Sequence, residues 1–391
     1  MLAPAARTAA RFAIAGALLV TAAACSDSPR APTQPPSSTP SPAPSPGADV
    51  FTTNDGVRFG VEVMTTNLDV PWAMAFAPDG RLFVTERPGR VYILDLTART
   101  TQLALTLDGV FAQGEAGLLG IALDPGFATN RLVYLHYTAA TSGGAMNRLV
   151  RYREVDGQLG ERAVLLDGVR GATIHDGGRL RFGPDGLLYL TTGDAANQGL
   201  AQDLSSYAGK ILRLNRDGTS PPGNAFGSPV YSYGHRNPQG LDWHPVSGDL
   251  WASEHGATGN DEINVIDSGA NYGWPVIQGN ATRPDMRTPI AFFDPAIAPS
   301  GAAFDRGARI PQFANNLFVG TLRGTHLLRL RVDPASPRRI ASQERLLEGR
   351  YGRLREVISG PDGYLYFATN NRDGRGTPAS DDDRIARLVP R

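Results

Sequence analysis

His175 and Asp194 are a candidate proton-transfer pair, because they stand at matching ends of one local unit, Ile174–Asp194, IHDGGRLRFGPDGLLYLTTGD. Between them two apolar, β-rich runs, Arg179–Phe182 and Leu187–Thr192, flank the turn Gly183-Pro184-Asp185-Gly186, the pattern of a hairpin. If Gly183 and Gly186 close that turn, residues whose numbers sum to 369 lie opposite one another, and His175 faces Asp194. Opposed side chains have Cβ atoms roughly 4.5–5.5 Å apart, close enough for an Asp to orient an imidazole. A bulge at Gly177-Gly178 would spoil that register. The plainer alternative is a turn Asp beside an unrelated loop His.

Three further stretches carry polar chemistry. Gly234-His235-Arg236-Asn237-Pro238-Gln239-Gly240 offers the fixed donors of Arg236 and the amide of Asn237, which together suit a planar, anionic, oxygen-rich ligand. A polar turn around Pro238 is the alternative. Ser253–Asn264 is an acidic loop containing Gly256 and Gly259, and a hard cation such as calcium takes carboxylates and the backbone carbonyls that such a loop exposes. It lacks EF-hand spacing, and a solvated acidic loop would read the same way. Strand alternation puts Arg353 and Arg355 on one face. With Arg323, in the loop after Val319-Gly320-Thr321, they could gather around one polyanion. Solvation is the ordinary fate of any one of them.

Residues so far apart converge only if the chain repeats around an axis. One module recurs: an apolar strand, a Pro/Asp/Gly turn, a second β-rich strand, a loop and a third strand. Copies begin at Trp72, Leu118, Arg179, Gly240, Gly301 (degenerate) and Glu356. Pro78, Pro125, Pro184 and Pro245 mark successive steps of about 47, 59 and 61 residues, and the gap to Pro361, about 116, holds two units. Each unit is too small to bury a core alone, whereas six close a ring without a long exposed edge. The fold expected is all-β, a six-bladed β-propeller over 50–391, with loops on one face converging on the axis.

Composition agrees. The 391 residues include 45 Gly and 30 Pro, which favours a turn-rich fold large enough for a substantial core. Thirty-eight basic and 38 acidic residues balance, so composition supports no nucleic-acid or anionic-membrane footprint. Lys210 is the sole lysine. At the amino terminus, Arg7 and Arg11 precede the apolar run Phe12–Val20 and the small residues Thr21–Ala24, an export signal over 1–24 that is too short for a membrane span. Cys25, the only cysteine, stands where a bacterial lipoprotein is acylated, although Ala22 occupies a position usually held by Leu. The alternative is a soluble periplasmic or secreted product. A Pro/Ser/Thr-rich tether over 25–49 then holds the domain off the bilayer.

In order along the chain, IHDGGRLRFGPDGLLYLTTGD, GKILRLNRDG, YGHRNPQGL, DEINVIDSGANYGWP and YGRLREVISGPDGYLYFAT resemble the soluble quinoprotein glucose and aldose sugar dehydrogenases, from about Val70 to Val389. That family is six-bladed and uses pyrroloquinoline quinone (PQQ) and calcium. The resemblance implies an enzyme that oxidises the anomeric carbon of an aldose to a lactone and passes electrons to an external acceptor such as a quinone, a cytochrome or a dye. By the same resemblance His175 is the general base, oriented by Asp194, and Arg236 and Asn237 contact the cofactor, with Arg236 also stabilising charge on it. Arg353 and Arg355 clamp its carboxylates, Gly256 and Ala257 offer carbonyls to the calcium, and Glu262 with Tyr272 resemble a second, structural calcium site. Two substitutions touch the cofactor's surroundings. Glu115 stands where well-known members have Gln, and a carboxylate there repels the cofactor's own unless it is protonated or turned aside. Arg323 replaces a Lys. A binding module of the same family, like the hedgehog-interacting proteins, and a calcium-dependent lactonase are the alternative functions.

Overall fold

The computed structural model describes residues 49–307 and 309–391. The expected signal segment and the tether, Cys25 included, lie outside the described residues except for Asp49. The described chain forms six antiparallel sheets, five of four strands and one of five. Blade one runs Pro71–Phe76, Leu82–Glu86, Arg90–Asp95 and Thr100–Thr106; blade two runs Leu118–Leu123, Leu132–Thr141, Gly144–Val155 and Gln158–Arg170. Blade three runs Leu180–Phe182, Leu188–Thr192, Lys210–Leu214 and Val230–Tyr233; blade four runs Pro238–Trp243, Leu250–Glu254, Asp261–Ile266 and Ala291–Phe293. Blade five runs Pro299–Phe304, Leu317–Thr321, Leu327–Asp333 and Ser336–Leu346. Blade six takes Leu354–Ser359, Leu365–Thr369 and Ile385–Pro390, then completes itself with Arg58–Thr65 and Val50–Thr52 from the other end of the chain. The expected six-bladed propeller is therefore what forms, and its ring is closed by antiparallel pairing of Arg58–Thr65 with Ile385–Pro390.

Six apolar clusters hold the ring, one at each junction between neighbouring blades. Trp72 and Phe83 of blade one pack with Leu118 and Val133 of blade two, for example, and Met74 of blade one packs with Tyr366 of blade six. The other four junctions are built alike. Alternation along each strand sends one row of side chains to one neighbouring blade and the next row to the other. Both faces of each blade are thus buried, which is why the second strands of blades one, three, four, five and six are buried along their whole length and that of blade two is buried over all but its ends.

A second regularity positions the site. The innermost strands of blades one, two, four, five and six each carry a register shift at their entry end, between Pro71 and Ala73, Leu118 and Ile121, Pro238 and Gly240, Pro299 and Ala302, and Leu354 and Glu356. Such bulges re-aim side chains. They turn Trp72, Gln239 and Arg355 toward one another: Arg355 Nη1 donates to Gln239 Oε1 at 2.6 Å, and the Arg355 guanidinium lies 5.7 Å from the Trp72 ring centre. Below them Arg179 stacks on the same ring at 4.4 Å and forms a buried ion pair with Glu356. These contacts close the axis at this level, whereas the innermost strands of all six blades line a cavity of about 640 Å³ farther along.

Candidate active site

The hairpin that carries His175 differs by one residue from the expected register. Leu180 faces Leu190 and Phe182 faces Leu188, so opposed numbers sum to 370. The reason is the turn. Gly183 N–H donates to Leu187 O at 2.9 Å and Gly186 has φ of 74°, so the loop has three residues and ends in a left-handed glycine. Extended to its open end, this ladder brings the His175 carbonyl to the Ala195 N–H, at 3.1 Å. The side chains of His175 and Asp194 still meet, because His175 itself has φ of 62° and leaves the strand path before Gly177 and Gly178, which also have positive φ. A side chain at Gly177 could not be accommodated, since its Cβ would lie 2.7 Å from Thr191 O.

His175 Nδ1 lies 2.8 Å from Asp194 Oδ1. Asp194 Oδ1 also accepts from Ala196 N–H at 2.9 Å, and Oδ2 accepts from Trp274 Nε1–H at 2.8 Å. With Asp194 accepting on both oxygens, Nδ1 is the nitrogen that carries the donated proton, the tautomer in which Nε2 is the proton acceptor. Trp274 links this pair to Arg236, whose guanidinium lies 5.4 Å from the indole centre and donates to His255 O at 3.3 Å. Asn237 sits on the other side of His175: its Oδ1 accepts from Gly177 N–H at 3.0 Å, and its Nδ2 donates to Glu115 Oε2 at 3.3 Å.

Apart from Trp274, which comes from the loop between the third and fourth strands of blade four, these residues lie just before an innermost strand or just after a second strand and so belong to one face of the ring. Arg353 enters blade six there and donates to Asp373 Oδ2 at 2.7 Å and to Leu322 O at 3.2 Å. Arg355 is buried, its Nε has no hydrogen-bond partner among the described residues, and burial pushes its guanidinium down to about 9. His255 Nε2 is likewise buried and unpartnered, and burial pushes that imidazole down to about 4. Buried donors left open in this way fit an anionic, oxygen-rich ligand. Arg323 is exposed beside Leu322, and only its backbone is tied into the site, through N–H donation to Ile297 O at 3.0 Å.

The two cation-binding candidates differ in what they offer. Among the described residues no three His, Cys, Asp or Glu side chains form a metal-holding group. The carbonyls of Gly256 and Ala257 accept no backbone hydrogen bond among the described residues, in a loop tied down by donation from Gly256 N–H to Asp261 Oδ1 at 2.8 Å. Hard carbonyl oxygens of this kind suit calcium. Glu262 stands opposite Glu254 in blade four, and burial together with that neighbouring carboxylate pushes it up to about 8. Tyr272 is close by, but its hydroxyl is committed to Val265 O and Asp267 N–H, each at 2.7 Å. Only its carbonyl is left to serve a cation.

Sequence reasoning missed Trp274, Asp373, Gln239 and Arg375. Trp274 lies inside the stretch NYGWP, and Asp373 and Arg375 lie in Asn370–Gly376, a charged loop after a second strand just like the loops after Thr192 and Glu254. That equivalence of position was the available signal.

An all-β six-bladed propeller with a histidine–carboxylate pair and clustered arginines at one mouth of its axis defines a class of oxidoreductase scaffold. The family model for glucose / sorbosone dehydrogenase matches residues 68–378, and the chain belongs to that family. It is 33% identical to the aldose sugar dehydrogenase of Escherichia coli, over 80% of this chain and 91% of that one. It is 26% identical to quinoprotein glucose dehydrogenase B of Acinetobacter calcoaceticus, over 97% and 96%. The solved PQQ-bound form of an aldose sugar dehydrogenase from Streptomyces coelicolor superposes with a TM-score of 0.77 at 39% identity, covering 85% of this chain and 98% of that one.

Proposed function

We propose that this chain is a PQQ- and calcium-dependent aldose dehydrogenase that oxidises the anomeric carbon of a sugar to a lactone. The observation that carries the reading is the His175–Asp194 pair, on the same face of the ring as Arg355, whose buried Nε lacks a partner among the described residues. Bound at this mouth, PQQ supplies the hydride acceptor, with calcium as the Lewis acid that makes it more electron-poor. Arg353 and Arg355 hold the cofactor's carboxylates, Arg236 and Asn237 flank its oxygens, Arg323 reaches it from the rim, and the carbonyls of Gly256 and Ala257 hold the calcium.

His175 Nε2 takes the proton of the anomeric hydroxyl. Asp194 fixes the imidazole through Nδ1 and stabilises the imidazolium that forms. Trp274 holds the other oxygen of Asp194 and so fixes the ring plane. Glu262 and the Tyr272 carbonyl would hold a second, structural calcium ion, which would offset the charge of Glu262 beside Glu254. The signal segment and Cys25 make the protein an exported, lipid-anchored one of the periplasm or cell envelope, where a quinone or cytochrome takes the electrons.

Adding calcium and PQQ to the cofactor-free protein and following dye reduction with a panel of aldoses tests the reading. Cofactor-dependent reduction with at least one aldose is expected. Absence of reduction with every sugar tested contradicts it.

A further inference from the structure

Glu115 brings a negative charge to a mouth that must accept an anion, and it is neither protonated nor turned aside. Burial opposes its ionisation, but the groups around it, the Arg375 guanidinium and the His175 N–H among them, hold the carboxyl below the usual carboxylate range. Arg375 is the ion-pair partner of this carboxylate. The geometry is specific. Arg375 Nη1 donates to Glu115 Oε1 at 2.8 Å, while Oε2 accepts from the His175 backbone N–H at 3.2 Å and from Asn237 Nδ2 at 3.3 Å. Glu115 precedes blade two, His175 blade three and Asn237 blade four, and Arg375 comes from the loop after the second strand of blade six. One carboxylate therefore ties four blades together at the mouth. Three donors need the acceptors of a carboxylate, since an amide would turn its own NH2 toward one of them. One donor is the N–H of His175, whose φ of 62° is a conformation that a non-glycine residue holds only when its surroundings enforce it.

We propose that Arg375 is a charge-compensating clasp on Glu115, which allows an ionised carboxylate to position the backbone of the general base without repelling the polycarboxylate cofactor. This rests on the PQQ reading given above. Glu115 and Arg375 are then positioning residues, acting through His175 and through the net charge of the pocket. The half-exposed Arg375 shields a carboxylate that is itself largely buried, so removing the arginine leaves a negative charge facing the cofactor in a low-dielectric site.

The test is titration of PQQ, in the presence of calcium, into the cofactor-free full chain, read by quenching of tryptophan fluorescence. Arg375→Met is expected to weaken binding about tenfold or more. Glu115→Gln/Arg375→Met, which removes both charges, is expected to restore it to within about threefold, the coupling of residues in contact. Glu115→Gln alone is expected to bind at least as tightly as the parent, and Arg375→Lys, which keeps the charge, to bind far better than Arg375→Met. A double variant as weak as Arg375→Met would show that Arg375 serves the cofactor directly and would overturn the clasp. So would parent-like binding by Arg375→Met, or a tenfold loss in Glu115→Gln alone. No binding by the parent chain would overturn the functional reading and the clasp with it, whereas binding by the parent with a failed rescue would overturn the clasp alone.

Discussion

A histidine works as a base only if one nitrogen is committed and the other is free, and here the commitment is made by Asp194. Both of its oxygens are used, one by His175 Nδ1 and Ala196 N–H and the other by Trp274 Nε1–H. Asn at this position would turn an NH2 toward one of those donors in either orientation and would remove the charge that stabilises imidazolium. Asp194→Asn is therefore expected to lower kcat by about 10²–10⁴ while leaving PQQ affinity largely intact, as steady-state rates and a binding titration would show. Parallel loss of binding would instead place Asp194 in the cofactor's own contacts. At this scale type and local spacing singled out His175, Asp194, Arg236, Asn237, Arg353 and Arg355 as candidates, each beside a plainer alternative, and the fold brings them to one face. The partners that complete them did not. Arg375 is 260 positions from Glu115, and Trp274 is 80 from Asp194, distances over which no local pattern speaks.

Strands and turns decide how those residues are aimed. The expected hairpin formed, but its loop has three residues where two were expected, and its ladder shifted by one. Sequence alone does not choose between those loops, because Gly183-Pro184-Asp185-Gly186 suits both. The outermost strands were also hard to read, and the physical reason is exposure: Gln158–Arg170 and Ser336–Leu346 meet solvent along much of their length and lack apolar alternation. Between Asp194 and the next strand of blade three, the chain is pegged by Lys210, whose Nζ donates to the carbonyls of Leu200, Ala201 and Ala208 at 2.7, 3.1 and 2.7 Å. Lys210→Met leaves these acceptors unmatched and is expected to cost about 1–3 kcal/mol in denaturant unfolding. Burial pushes the Lys210 amine down to about 8 from an ordinary 10.5, so between those values the unfolded chain binds the extra proton and native stability rises with pH. Lys210→Met should flatten that rise, and an unchanged pH profile would show that the amine titrates normally.

The described chain closes into a ring, and the sixfold spacing of Pro/Asp/Gly turns makes that legible in the sequence alone. Its closure was not visible, because the strand that completes blade six, Arg58–Thr65, is more than 300 residues from its partner Ile385–Pro390. Closing the ring brings Glu115, from one end of the blade order, against Arg375 from the other, and sets the arginines of blades four and six on the same face as His175. The ring therefore does for the proposed chemistry what no single blade can: it brings the residues proposed as base, orienting acid and anion clamp to one mouth. The most direct measurement of that claim uses cofactor-loaded protein without any electron acceptor, mixed with an aldose in a stopped-flow spectrometer. The parent chain is expected to reduce its bound PQQ in a single turnover, and His175→Ala to bind PQQ comparably yet leave it oxidised, slowed by about 10²-fold or more. Reduction by His175→Ala at the parent's rate would contradict the assignment of His175 as the base.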